Sequence, residues 1–287
     1  MKKKKTMFSK SVIIVFVIIS LLTSSLLLYF YRKHKIKEEI LGNLYGTMLK
    51  DNVIYDIKTQ EYTKIGNYYS FSKPQFNVDK KKILGIKDCS KIMEYDVERK
   101  SFKTLYNETT DRLINKAKYV PANNRVISMI IGNELYLLNL NNNEKELLLK
   151  VYHGFCWMDE NTIIYSKGGK LRMKNIQTNE ETILTKGYFP EISNDKKKIA
   201  FLTDRITYNR NDNNFAIYDI EKNEVIKEYY IHYILNYRFS PDDKYIAYIQ
   251  LRGKNICFDK NSLIILDYSN DNKIVFIDQF SSIYDWK

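Results

Sequence analysis

An imidazole is the commonest neutral-pH general base and a frequent zinc ligand, so the three histidines set the first bound on chemistry. They stand at His34, His153 and His232. His34 sits in a basic run after an apolar stretch, while His153 and His232 each adjoin a tyrosine and have no ligand or nucleophile at a working spacing. Cys89, Cys156 and Cys257 show no C-x-x-C pair and are odd in number, which argues against both a zinc site and a disulfide framework. Nucleophilic hydrolysis needs a Ser or Cys on a sharp turn beside a base, and no G-x-S-x-G occurs. The Asn-rich run 209–214 lacks the alternation and closing carboxylate of a calcium loop. No catalytic residue, metal or cofactor is therefore expected.

The acidic and amide side chains are more informative. Asp56, Asp96, Asn139, Asn175, Asp219 and Asp267 each end an apolar run just before a polar turn, as in VIYDIKTQEYTKI from Val53 and FAIYDIEKNEVIKEY from Phe215. Six copies in one phase suit a structural task, because a short polar side chain at a strand end accepts hydrogen bonds from turn amides. Two carboxylates about 5–10 Å apart in a channel would instead suit glycoside hydrolysis, and the sequence leaves that second reading open.

Those markers belong to a repeat. Tyr237–Gln250, YRFSPDDKYIAYIQ, is a short aromatic strand, a Pro-Asp-Asp turn and a second strand, which together predict a β-hairpin. The same pattern is headed by Phe76, Tyr119, Cys156, Ile192 and Phe239, at roughly forty-residue intervals that indicate a repeat architecture. Cys156 takes a place held elsewhere by a larger apolar residue, so a buried thiol is expected. There are six outer hairpins but only five inner ones. Leu44–Leu49 supplies a second strand for the first repeat, and the stretch 281–287, SSIYDWK, begins like another copy and stops after one strand. Pairing that strand beside Leu44–Leu49 would close six four-stranded sheets into a ring, which removes the exposed edges of an open sheet. The expected fold is all-β: a six-bladed β-propeller over residues 44–287, closed by its N- and C-terminal strands.

The net charge of +12 points toward nucleic acid until it is located. Residues 1–37 hold nine Lys or Arg and no acid, so 37 basic residues face 34 acidic ones in the remainder, leaving about +3. Nucleic acid is thereby excluded as the expected partner. Residues 12–31 carry no charge and would span about 30 Å as a helix, the thickness of a bilayer core. The expectation is a basic cytoplasmic head over 1–11, a transmembrane signal-anchor over 12–31, a charged tether over 32–43, and the propeller outside the cell. The apolar stretch is long for a signal peptide and lacks a small-residue cleavage pattern at its end.

Two connections, 204–214 and 251–261, are longer than their counterparts, and strand alternation puts them on one face of adjacent blades. Arg205, Tyr208, Arg210, Arg252 and Lys254 on them are the candidate contacts for a partner.

The units FSPDDKYIAYI, ISNDKKKIAFL and FNVDKKKILGI resemble the WD40-like propeller repeat of the TolB family, in which Ser-Pro-Asp-Gly-Lys precedes an Ile-Ala-Phe/Tyr strand. Ser240-Pro241-Asp242 and Ile246-Ala247-Tyr248 carry the resemblance most closely, and Asp243 stands where that repeat has Gly. The resemblance implies a six-bladed propeller used for protein contact and carries over no catalytic residue. The expected function is a non-enzymatic module binding a protein or an envelope ligand, with a channel hydrolase or a subunit of a membrane complex as alternatives.

Overall fold

The structure, a computed structural model, describes residues 10–50, 53–65, 71–151, 154–204, 212–232, 234–250, 262–276 and 283–287. It divides into a helical unit, Met1–Leu44, and a β unit, Tyr45–Lys287.

In the β unit every sheet has four antiparallel strands, and there are six sheets. Each sheet is one blade, and blades 2 to 6 each take consecutive strands. Blade 2 runs from Phe71–Phe76 to Ser101–Asn107, blade 3 from Ile114–Val120 to Lys145–Lys150, and blade 4 from Phe155–Trp157 to Glu181–Lys186. Blade 5 runs from Tyr188–Ile192 to Glu224–His232 and blade 6 from Ile234–Phe239 to Asn272–Phe276. Blade 1 is composite, its strands ordered Asp285–Trp286, Thr47–Lys50, Val53–Asp56, Tyr62–Lys64. The closure expected from the truncated last repeat is therefore present, with Met48 opposite Trp286 and Leu49 opposite Asp285.

Burial explains why the strands differ in composition. Second strands such as Tyr245–Gln250 and third strands such as Ser262–Asp267 are covered on both faces by neighbouring blades, so they read as continuous apolar runs. Outer strands such as Ser101–Asn107 are largely exposed and read as polar alternations. Between blades 5 and 6 the core packs Phe215, Ile217, Tyr237, Phe239 and Tyr248, and equivalent clusters join the other consecutive pairs from blade 1 to blade 5. Cys156 is buried among Phe201, Ile164 and Tyr218, as expected of its position.

Local turn chemistry fixes the register. Asp56, Asp96, Asn139, Asn175, Asp219 and Asp267 each accept a backbone N–H from the following turn at 2.8–3.1 Å. In the inner hairpins Asn77, Ser193 and Ser240 perform the same task for Lys82, Lys198 and Tyr245. The fourth turn residue, Lys80, Lys196 or Asp243, has a φ of 57–63°, the left-handed region that favours glycine. Asp243 tolerates it with a return: its carboxylate accepts the N–H groups of Asn194 and Asp195 in blade 5, at 2.7 Å each, and the Asn194 amide at 2.9 Å.

At the joint, Trp286 Nε1 donates to the Tyr45 carbonyl at 3.0 Å. Gly46 there has φ +99°, and a Cβ on it would lie 2.7 Å from Lys287 O and 2.8 Å from Pro241, so no side chain fits.

The helix, Lys10–Asn43, continues through the stretch expected to be a separate tether. Ile18, Leu21, Leu22, Leu26, Leu28 and Phe30 are all exposed. Of the expected span over 12–31, the side chains of 12–17 lie outside the described residues. Among the described residues no helix is long and apolar enough to cross a membrane.

Candidate functional site

The inner strands of the six blades enclose a central channel, and side chains alternating along them point into it. Its wide end holds a cavity of about 400 Å³, between the starts of the inner strands and the turn at Gly132 and Asn133. A second cavity of about 180 Å³ lies at the other end, and Gln75, Lys118 and Glu191 line both. The larger cavity has the size of a small-molecule site and a mixed wall, with Phe189, Tyr237, Tyr284 and Pro74 beside Asn115 and Asn236.

Its charges are unbalanced. Glu191 of blade 5 is paired with Lys118 of blade 3 and Arg238 of blade 6, at 3.3 Å in both cases. The three side chains are only 8–15% exposed, so the pairs tie blades together across the channel. Arg238 also donates from Nε to the Tyr284 carbonyl and from Nη1 to the Tyr237 carbonyl, at 2.6 Å each. Lys116 donates to the Phe155 carbonyl at 3.0 Å and lies 5.3 Å from the Phe155 ring centre. Lys73 donates to the Asn115 carbonyl. Lys73 and Lys116 thus meet carbonyl dipoles where Lys118 and Arg238 meet a carboxylate. Four cations line the wide cavity against one described acid.

The electrostatic consequences follow. Burial would raise the Glu191 carboxyl, but Arg238, Lys118 and Lys116 overcome that and hold it down at about 2. Burial pushes the Lys116 ammonium down to about 7, aided by the positive charges of Lys118 and Arg238 and opposed by Glu191. Partial desolvation lowers Lys73 as well, although its side chain stays exposed at the rim. Gln75 adds a buried Oε1 that accepts no hydrogen bond among the described residues. Such a set can hold an anion with donors converging from three blades.

At the narrow end Asp285 accepts the Phe76 N–H at 2.9 Å and the N–H of Trp286 at 3.0 Å. The two described channel carboxylates, Glu191 and Asp285, are therefore each engaged within the ring. Among the described residues no group of three or more His, Cys, Asp or Glu could hold a metal ion.

The candidates Arg205, Tyr208, Arg210, Arg252 and Lys254 lie outside the described residues. The strand ends that flank their connections are described: Leu202 pairs with Phe215, and Gln250 with Ser262. In each blade that end also pairs with the start of the inner strand, through Tyr188 in blade 5 and Ile234 in blade 6. Leu202 and Gln250 thus stand at the end of the ring where the wide cavity opens.

The channel cations were missed in the sequence, although a signal existed. Gln75, Lys118, Glu191 and Arg238 each stand one residue before a repeat-heading residue, Phe76, Tyr119, Ile192 and Phe239. Polar residues in that one register position, inside otherwise apolar strands, mark the channel wall.

No family model matches the chain, and no curated protein does. Solved structures are similar at the level of the fold. An oligogalacturonate lyase in complex with manganese matches with a TM-score of 0.55 and 10% identity over 77% of this chain and 69% of that one. The oligogalacturonate lyase of Vibrio parahaemolyticus matches at 0.56 and 10%, over 80% and 72%. The Swd1 β-propeller domain of Myceliophteria thermophila matches at 0.55 and 11%, over 82% and 88%. At these identities the likeness shows a β-propeller and nothing of its chemistry.

Proposed function

We propose that this protein is a membrane-anchored, extracytoplasmic and non-enzymatic binding module that receives a protein or envelope ligand at the wide mouth of its propeller. The observation that carries this reading is the cavity of about 400 Å³ at one end of a closed ring. Closure makes the propeller a rigid frame, and rigid frames with a concave mouth recur as binding sites. A binding role is supported further by the engagement of Glu191 and Asp285 within the ring. The anchor is supported by apolar side chains exposed around the helix from Ile18 to Tyr31, a surface suited to lipid.

Protease shaving of intact cells, followed by crosslinking of the tagged chain, tests the reading. The propeller should be digested from outside, and one crosslinked species should vanish when Asn133→Trp blocks the mouth. Replacing Arg205, Tyr208, Arg210, Arg252 and Lys254 together by Ala asks whether the long connections share in the contact. A propeller protected from external protease would overturn the localisation, and a crosslink indifferent to both variants would overturn the binding face.

A further inference from the structure

We infer that the wide channel cavity is an anion site, in which Lys116, flanked by Lys73 and the Arg238–Glu191–Lys118 group, holds the carboxylate or phosphate of a small organic ligand. Four independent features of the cavity converge on it.

The first is charge. Lys73, Lys116, Lys118 and Arg238 share one described carboxylate, Glu191, and that carboxylate is spent on Lys118 and Arg238. Lys116 is half-buried and Lys73 is exposed at the cavity rim, and among the described residues each has a carbonyl as its hydrogen-bond partner and no carboxylate of its own. An incoming anion supplies the counter-charge.

The second is geometry. Lys118 and Arg238 are locked by Glu191, and Arg238 also by two carbonyls, so their positions are set before a ligand arrives. Donors ordered in advance lose little entropy on binding, which favours affinity.

The third is the wall. Phe189, Tyr237 and Tyr284 offer apolar area, and Asn115 and Asn236 offer amides. A ligand with hydroxyl or amino groups beside its anionic group fits that wall better than a bare inorganic ion. The fourth is access, since the Lys116 side chain is only partly covered by protein and its remaining surface faces the cavity.

The depressed ammonium of Lys116 agrees with this geometry, since burial lowers it first and the neighbouring Lys118 and Arg238 charges lower it further than Glu191 restores.

The inference deepens the binding reading and rests on it only in the use of the same mouth. It is tested on the full chain purified in detergent, by thermal melts and calorimetry with inorganic phosphate, with gluconate, and with glucose as the neutral counterpart of gluconate, all at one chloride-balanced ionic strength. Phosphate or gluconate should raise Tm by about 5–10 °C at roughly a hundredfold excess over Kd. A response to phosphate alone assigns the site to phosphate esters, and a response to gluconate alone assigns it to carboxylates. Glucose should do nothing.

Lys116→Met should weaken the anion at least about tenfold, the loss expected of one charged hydrogen bond. That variant removes an uncompensated cation and keeps the aliphatic stem, so it should fold at least as well as the parent. Lys103→Met, on the exposed outer strand of blade 2, should bind like the parent. Absence of any anion response, or full binding by Lys116→Met, would overturn the inference. A purified chain that takes the anion while its propeller is protected in cells would uphold the site and overturn the localisation alone.

Discussion

Replacing Trp286 by Ala tests whether ring closure contributes to stability beyond ordinary core packing. Trp286 is 2% exposed and among the largest fully buried side chains, and its indole N–H holds the Tyr45 carbonyl at 3.0 Å. Truncating a buried Trp costs about 3–5 kcal/mol, and the lost hydrogen bond adds about 1 kcal/mol. Domain stabilities are about 5–15 kcal/mol, so the variant should remain folded with much of its margin gone. At about 2–4 °C per kcal/mol for a domain of this size, Tm should fall by roughly 10–20 °C. Trp157→Ala is the control, since Trp157 is 4% exposed and donates to Ser128 Oγ at 2.8 Å, but lies in blade 4 away from the joint. Both variants should melt early, and only the first should open the seam. Hydrogen exchange reads this directly, because the Thr47 amide donates to Lys287 O at 2.7 Å, the Tyr284 amide to Leu49 O at 2.9 Å and the Lys287 amide to Thr47 O at 3.0 Å. In Trp286→Ala these three amides should exchange well ahead of global unfolding. If Tm fell by less than about 3 °C, or if the three amides stayed as protected as in Trp157→Ala, the closure argument would be wrong.

The remaining predictions concern the turns and the charges. Asp243→Gly should be less stable than the parent by about 1–2 kcal/mol in a denaturant melt, since relief at φ +57° offsets only part of three lost hydrogen bonds; Asp243→Ala, which keeps the backbone strain, should be worse than Gly. A glycine variant at least as stable as the parent would mean that the blade 5 to blade 6 staple contributes little. Gly46→Ala should lower Tm by roughly 5 °C or more, because its Cβ would meet backbone and Pro241 within 3 Å; an unchanged melt would show that the joint yields. Acid should destabilise the fold. Burial would raise the Glu108 carboxyl, but hydrogen bonds from Lys145, Tyr106 and Thr110 hold it at about 2 against an ordinary 4.5, so its contribution is present above about pH 4.5 and lost as pH falls toward 2. The denaturant midpoint should drop over that window, and Glu108→Gln should flatten the drop; an identical pH profile in the variant would contradict it.

The fold was legible because its information is local and repeated. Each hairpin carries its own turn chemistry, so Asp219 before one turn and Ser240-Pro241-Asp242 in another mark strand ends without knowledge of the rest of the chain. Even the closing strand could be read, since a repeat that stops after one strand leaves a pairing edge that the first repeat lacks. The marker carboxylates were likewise legible as turn caps, because six copies in one phase cannot all belong to one active site. The preference for the long connections arose from loop length, which reports where the chain is free to vary and not where charge collects.

The channel site is a tertiary product. Lys116 and Lys118 come from blade 3, Glu191 from blade 5 and Arg238 from blade 6, and Lys118 meets Glu191 across 73 residues of chain. In the sequence each is one charge in an alternating strand, and the domain as a whole is nearly neutral. Only closure of the ring turns the inner edges of separate blades toward a common axis, where Lys73 and Lys116 meet carbonyl dipoles and the one described acid of the wide cavity is already shared. Sequence alone determined the blades and their joint, because hydrogen bonding within a hairpin is short-range. The unbalanced charge was decided by tertiary structure, because electrostatic compensation depends on which groups lie within a few ångströms in a medium of low dielectric, whatever their separation along the chain.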